Sequence, residues 1–219
     1  RANLLRTISH DLRTPLTAIS GNASNLYSHY KMLDDATREQ MFSDIYDDSE
    51  WLIQLVENLL SVTRIENGEM QLNKSPEVVG DVVEEALKHV DRNKSAHDIR
   101  VIQPEDIIVA NMDAKLIIQV MINLVNNAIK YTQKDSMIRI SYGDGGEMIY
   151  VSIADNGPGM DENAKEHAFD MFYTGQNMAA DGKRSMGLGL ALCKSVVEAH
   201  GGKIDITDNT PHGCIFTSV

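Results

Sequence analysis

The stretch His10-Asp11-Leu12-Arg13-Thr14-Pro15-Leu16 decides how the first third of this chain folds. Around it apolar residues recur at Leu5, Ile8, Leu12, Leu16, Ile19, Ala23 and Leu26, the spacing of a helix that buries one stripe. At about 100° per residue His10 lies about 200° from both Ile8 and Leu12, so a helix that buries this stripe turns His10 outward. Thr14 falls one turn further along the same face. Pro15 offers no N–H to the carbonyl of Asp11, which costs roughly 3 kcal/mol in a helix interior, yet the stripe continues past it in phase. The pattern predicts a helix that bends at Pro15 without ending there.

Beyond it, Tyr30 to Asp35 reads as a short connection, and a second helical pattern runs from about Ala36 to Glu66. Its apolar positions are Phe42, Ile45, Leu52, Val56, Leu59 and Leu60, and Asn67-Gly68 supplies the stop. Two long helices on a short loop make an antiparallel hairpin. Burying each Leu or Ile is worth about 1.5–3 kcal/mol, and two helices alone cannot cover both stripes. The economical solution is a homodimer in which two hairpins form a four-helix bundle.

From Glu69 the grammar changes to short strands and helices. Met70–Lys74, Ile99–Ile102, Ile107–Ala110, Met137–Tyr142, Met148–Ala154, Lys203–Thr207 and Cys214–Ser218 read as strands, with Asp144-Gly145-Gly146 as a turn. Helical patterns fill Val79–Val90, Ala114–Tyr131 and Leu188–His200. The fold class is therefore α+β, with a sheet covered on one face by helices behind the hairpin. The expected organisation is a hairpin domain over 1–67, a linker with the first strand over 68–78, and an α/β domain over 79–219.

Charge excludes some partners. The chain of 219 residues carries a formal net charge of −12. Residues 1–66 hold 6 Lys and Arg against 10 Asp and Glu, and the remainder holds 14 against 22, so neither part is basic. Nucleic acid and anionic lipid are not its expected partners. No run of 18 apolar residues is long enough to span a bilayer. The chain starts at Arg1 inside a helical pattern, as expected of a fragment of something longer. Cys193 and Cys214 form no C-x-x-C pair and read as reduced thiols. His200 before Gly201-Gly202 reads as a helix end where a cation suits the dipole.

Three segments point to phosphate chemistry. Asn123, Asn127 and Lys130 fall at i, i+4 and i+7 of one helical pattern and so share a face. Carboxamide oxygens suit Mg²⁺, which takes few protein ligands and fills its octahedron with phosphates and water, and Lys130 can balance excess phosphate charge. Asn is a poor helix former, which makes it an odd choice for a merely solvated face. Asp155-Asn156-Gly157-Pro158-Gly159 presents a carboxylate at a strand end beside a glycine turn. A fixed carboxylate accepting from an exocyclic amine favours adenine over guanine. Gly187-Leu188-Gly189-Leu190 opens a helix whose positive end can receive phosphate oxygens.

Read together, these segments resemble the catalytic core of a sensor histidine kinase of two-component signalling. HDLRTPL is similar to the phosphoacceptor box, NLVNNAIKYT from Asn123 to the N box, and DNGPG from Asp155 to the first glycine box. The region of Phe169 and Phe172 resembles the phenylalanine box, and GLGLAL from Gly187 the second glycine box. Nearly the whole chain is covered, in the family's order, and the run LLRTISHDLRTPLTAISG is nearest in wording to its potassium-responsive branch.

The resemblance implies a dimerisation and histidine-phosphotransfer hairpin, then an ATP-binding α/β sandwich of the GHKL or Bergerat type shared with gyrase, Hsp90 and MutL. It makes His10 the phosphoacceptor from ATP, a role an imidazole that is mostly neutral near pH 7 can fill. Asp11 becomes the base that orients it, and Thr14 the positioner of water in dephosphorylation of a response regulator. Asn127 with Asn123 would hold Mg²⁺, Lys130 would meet phosphates, and Tyr131 would lie near the nucleotide. Asp155, with Gly157 and Gly159, would read adenine, and Gly187, Leu188 and Gly189 would receive the phosphates. The implied partner is a response regulator receiver domain, and the implied location is the cytoplasmic part of a membrane-anchored bacterial sensor.

The chain departs from the family at Met171, Thr174 and Ser185, within or beside the lid expected from about Asp170 to Ser185, where Lys183 and Arg184 would compensate. Two other readings stand beside this one. One is an ATP-binding dimeric scaffold without kinase chemistry, against which His10, Asp11 and Asn127 speak. The other is a GHKL-type ATPase, which needs no histidine hairpin.

Overall fold

A computed structural model of the chain describes residues 2–66, 72–90, 96–146, 148–174 and 187–218, of which 2–11, 62, 64–66 and 218 are described by their main chain. The chain divides between Ser61 and Val62 into two compact units.

In the first unit, α1 (Ala2–His29) runs unbroken through Pro15, and α2 (Asp35–Glu66) follows a single 3-10 turn at Tyr30–Met32. Asp34 starts α2 by accepting from the Thr37 N–H at 2.7 Å and from its hydroxyl at 3.0 Å, which holds its carboxyl below the usual carboxylate range. Arg38 closes the connection. Its Nε donates to Tyr30 O at 2.9 Å, its Nη2 to Leu33 O at 2.6 Å, and its guanidinium lies 4.4 Å from the Tyr30 ring centre.

The burial differs from the stripe expected. Pro15, Leu26 and Leu55 are buried, whereas Leu16 and Ala23 are exposed, as are Phe42 at 54%, Val56 at 46% and Leu60. One hairpin leaves a second apolar face open, as two helices without a third layer must. The outward direction expected of His10 lies outside the described side chains.

In the second unit, β1 (Ser75–Val78) pairs antiparallel with β3 (Val109–Met112). The main sheet has the order β2-β4-β5-β7-β6. It comprises β2 (Asp98–Ile102), β4 (Met137–Asp144), β5 (Ile149–Asp155), β6 (Ile204–Asp208) and β7 (Cys214–Ser218). β2 runs parallel to β4 and the other pairs are antiparallel. On β4, Ile138, Ile140 and Tyr142 are buried while Met137 and Arg139 are exposed, the alternation of a sheet with one covered face.

The cover is α3 (Val79–Lys88), α4 (Ala114–Tyr131) and α6 (Gly189–His200), which pack on one another and on the strands. Val125, Ile140, Leu192 and Val196 are among the residues sealed in this layer. Cys193 and Cys214 are free and buried, as expected of reduced thiols.

Three expectations need correction. The first strand begins at Ser75, not within Met70–Lys74: Leu72–Lys74 is not strand, and Met70 and Gln71 lie outside the described residues. The strand expected at Ile107–Ala110 is displaced to Val109–Met112, where β1 supplies its partner. His200 does end α6, with Gly201 at φ 92° donating to Glu198 O, but not as a cation. Its Nδ1 lies 2.8 Å from Val196 O and its Nε2 accepts the Asp113 N–H at 3.0 Å, so the ring is the neutral tautomer that joins the end of α6 to the start of α4. A short helix, α5 (Glu162–His167), has no sequence counterpart among the expectations; Asp161 caps it, and Lys165 ties it to Asp208 at 2.7 Å.

Candidate active site

The last two turns of α4, the end of β5 and the start of α6 converge, and most of the expected phosphate and base contacts sit on them. α4 is capped by the Asp113 carboxylate, which accepts from Leu116 N at 3.4 Å. Its apolar face, Val120, Met121, Leu124, Val125, Ala128 and Ile129, is buried, so the helix is held from the first turn to the last.

Asn123 lies on the same layer. It is only 9% exposed, and its Nδ2 has no hydrogen-bond partner among the described residues. A buried carboxamide left unpaired forfeits about 1–3 kcal/mol, which a ligand can restore. The Asn123 Oδ1 faces α6: a Cβ built at Gly189 would stand 3.4 Å from it. Gly189 therefore leaves room between the first turn of α6 and the Asn123 side chain. Asn127 and Lys130 follow on the face as expected and are half-buried, and the Lys130 ammonium lies 5.4 Å from the Tyr131 ring centre.

About 12 Å further along α4, eight residues at 1.5 Å each, Tyr131 and Thr132 meet the β5 end. A Cβ at Gly157 would stand 2.9 Å from Asp155 Oδ1, 3.0 Å from Thr132 Cγ2 and 3.2 Å from Tyr131 O, so only glycine lets the turn close here. Asp155 is 8% exposed, and burial raises its carboxyl above the ordinary range while the N–H groups of Gly157 and Cys214 pull the other way. Both bonds fall on Oδ1, at 2.8 Å and 3.3 Å. Oδ2 is the oxygen left for a ligand's donor. Gly159 is a left-handed residue at φ 78°.

Gly187 and Leu188 also have a packing role. A Cβ at Gly187 would fall 2.3 Å from Tyr173 O, and its carbonyl accepts from Phe172 N at 2.9 Å. Its glycine is required by backbone packing against Phe172-Tyr173, where Phe172 itself sits at φ 66°. The Leu188 side chain is buried in the core, so only its main chain faces the start of α6.

Thr14 is exposed on α1. The side chains of His10 and Asp11, and Lys183, Arg184 and Ser185, lie outside the described residues. Motif reading passes over Asn209 and His212, which reach Asp155 O at 2.7 Å and Gly157 O at 3.0 Å from the β6–β7 loop. An Asn and a Gly flanking Thr-Pro-His before a strand signal a turn and nothing more.

Comparison with known proteins places both parts. Residues 112–219 match the family described as "Histidine kinase-, DNA gyrase B-, and HSP90-like ATPase", and residues 1–68 match the "His Kinase A (phospho-acceptor) domain". Sensor protein KdpD of Clostridium acetobutylicum is 43% identical over 216 residues, 99% of this chain and 24% of that protein. KdpD of Escherichia coli is 33% identical over the same shares of each. Among solved structures, the Acinetobacter baumannii histidine kinase AdeS superposes with a TM-score of 0.69 at 26% identity, covering 95% of both chains. Histidine kinase ThkA, solved in complex with the response regulator TrrA, gives 0.67 at 26% identity over 99% of this chain and 60% of that one.

A phospho-acceptor helical hairpin followed by a histidine-kinase-type ATPase domain defines a two-domain histidine kinase core of the GHKL type. The chain belongs to the sensor histidine kinases. It spans 24% of the length of the KdpD proteins it matches. Among the described residues no helix is long and apolar enough to cross a membrane.

Proposed function

We propose that this chain is the ATP-dependent autokinase and phosphotransfer core of a membrane-anchored bacterial sensor, acting from the cytoplasmic side. Its functional division is a dimerisation and phosphotransfer hairpin over 1–67, a linker over 68–78 and an ATP-binding domain over 79–219. The imidazole of His10, oriented by Asp11, attacks the γ-phosphate; an N–P bond forms, the bond to the β-phosphate oxygen breaks, and ADP leaves. The phosphoryl group then passes to an aspartate of a response regulator receiver domain. Thr14, on the exposed side of α1, positions water when that regulator is dephosphorylated.

The observation that carries the reading is the buried carboxamide of Asn123, whose Nδ2 has no partner among the described residues and whose Oδ1 faces the first turn of α6, one helical stretch away from the buried carboxylate of Asp155. These residues fit a nucleotide laid along α4. Asp155 accepts from the adenine amine beside Tyr131 and the Gly157–Gly159 turn, while Lys130 and the N–H groups of Gly187, Leu188 and Gly189 face the phosphates. Asn127 and Asn123 would hold Mg²⁺, whose charge offsets that of the phosphates. The apolar faces left open on α1 and α2 support a homodimer through the hairpin.

Incubation with γ-labelled Mg-ATP should yield an acid-labile, alkali-stable phosphoprotein that is absent in His10→Ala. Label persisting in His10→Ala refutes the phosphoacceptor assignment. Thr14→Ala should keep autophosphorylation and lose regulator dephosphorylation.

A further inference from the structure

β5 ends in an exchange of hydrogen-bond partners. The β5–β7 ladder runs from Val151↔Ser218 to Ala154↔Ile215, so the next pairing would set Asp155 against Cys214. The Cys214 N–H does not complete that pairing. The Cys214 N–H goes to the side-chain Oδ1 of Asp155 at 3.3 Å, and the Asp155 carbonyl accepts instead from Asn209 Nδ2 at 2.7 Å. The orientation of the Asn209 amide is set independently, because its Oδ1 accepts from Thr210 N at 3.0 Å and so leaves Nδ2 toward Asp155.

The rest of the loop grips the same turn. Asn209 N donates to Gly213 O at 3.0 Å, and His212 Nδ1 lies 3.0 Å from Gly157 O, a contact in which the ring nitrogen must be the donor. Gly213 at φ 116° packs so closely that a Cβ there would fall 2.0 Å from Asp155 O. The carbonyl and the carboxylate of Asp155 are alternative acceptors for one N–H, and the Asn209 amide occupies the carbonyl.

We propose that Asn209 is a positioning residue for base selectivity: by satisfying the Asp155 carbonyl it diverts the Cys214 N–H to the carboxylate, which fixes the rotamer that aims Oδ2 at an exocyclic amine. His212 steadies the neighbouring Gly157 carbonyl. The inference rests on the adenine-reading role given to Asp155. Without the Asn209 amide the Cys214 N–H returns to the carbonyl, the ordinary ladder partner, and the carboxylate loses one of its two anchors.

The test uses the full chain and compares binding of ATP with that of inosine triphosphate, whose base carries a carbonyl where adenine carries the amine. The parent should prefer ATP, and Asp155→Asn should erase the preference. Asn209→Ala should weaken ATP binding about tenfold to a hundredfold, the range for a bond to a charged group, while leaving inosine triphosphate nearly unchanged. An equal loss for both nucleotides makes Asn209 merely structural and overturns the inference, as does no loss for either. A parent without preference overturns the adenine reading of Asp155 itself, and this inference with it.

A second measurement does not depend on nucleotide. The Cys214 amide resonance should titrate with the Asp155 carboxylate in the parent and in His212→Ala, and cease to do so in Asn209→Ala. Continued titration in Asn209→Ala overturns the proposed exchange even if that variant binds nucleotide poorly.

Discussion

Replacing Gly187 by alanine separates backbone packing from loop flexibility at the start of α6. Gly187 sits at φ 63°, which costs an L-residue roughly 1–2 kcal/mol. The new Cβ would also stand 2.3 Å from Tyr173 O and 2.6 Å from Tyr173 N, both main-chain atoms that a side-chain rotation cannot move. Phe172-Tyr173 must therefore shift, and the Phe172 N–H···O bond to Gly187, 2.9 Å long, is lost at about 1 kcal/mol. The expected destabilisation is about 3 kcal/mol. At roughly 2–4 °C per kcal/mol for a domain of this size, the melting temperature should fall by about 6–12 °C.

Gly201→Ala is the control. It too is left-handed, at φ 92°, but a Cβ there meets nothing within 4 Å, so only the conformational cost applies. The two glycines lie on opposite ends of α6. ATP affinity should fall in Gly187→Ala, whose neighbour Gly189 faces Asn123, and hold in Gly201→Ala. Thermal unfolding by circular dichroism and nucleotide titration measure both. A Gly187→Ala protein at least as stable as Gly201→Ala refutes the contact argument.

Asp155→Asn tests the buried carboxylate through pH. Because burial raises its folded-state pKa, the folded protein holds that proton more tightly than the unfolded chain, and stability declines as pH rises from the ordinary value of 3.8 through the raised one. The variant lacks this decline, so without nucleotide it should exceed the parent near neutrality; a stability gap in urea that does not change with pH contradicts the sign. Arg38→Ala should cost the hairpin about 1–3 kcal/mol through the lost bonds to Tyr30 O and Leu33 O. Arg38→Lys should recover little of it, since a single ammonium nitrogen cannot stand at both the Nε and the Nη2 positions, and full thermal recovery would contradict the clamp. Val56→Glu places a charge on the open apolar face beside Leu60, and light scattering should show the dimer giving way to monomer; an unchanged mass would remove that face from the interface.

Legibility followed how locally each element is determined. α4 could be read because its apolar face and carboxamides all lie within eighteen residues. β1 could not. Ser75-Pro76-Glu77-Val78 has no alternation of its own and becomes a strand through pairing with Val109–Met112, more than thirty residues on. α5 is too short to show a period, and its Lys165 anchor reaches Asp208 across 43 positions. The expected cation at His200 fails for the same reason: the neighbouring helix presents an N–H donor, Asp113 N, from 87 positions away, and only a neutral ring can accept it.

The site shows the same division within a single residue. That Asp155 offers a carboxylate beside a glycine turn follows from five consecutive residues, but its aim depends on which acceptor the Cys214 N–H takes. Asn209 settles that competition across 54 positions, and its other bonds, to Thr210 N and Gly213 O, are those of any turn asparagine. A motif is legible where it supplies a functional group. The constraint that holds the group in one rotamer comes from the closure of a distant loop, where an asparagine that aims a carboxylate and one that only turns the chain are spelled alike.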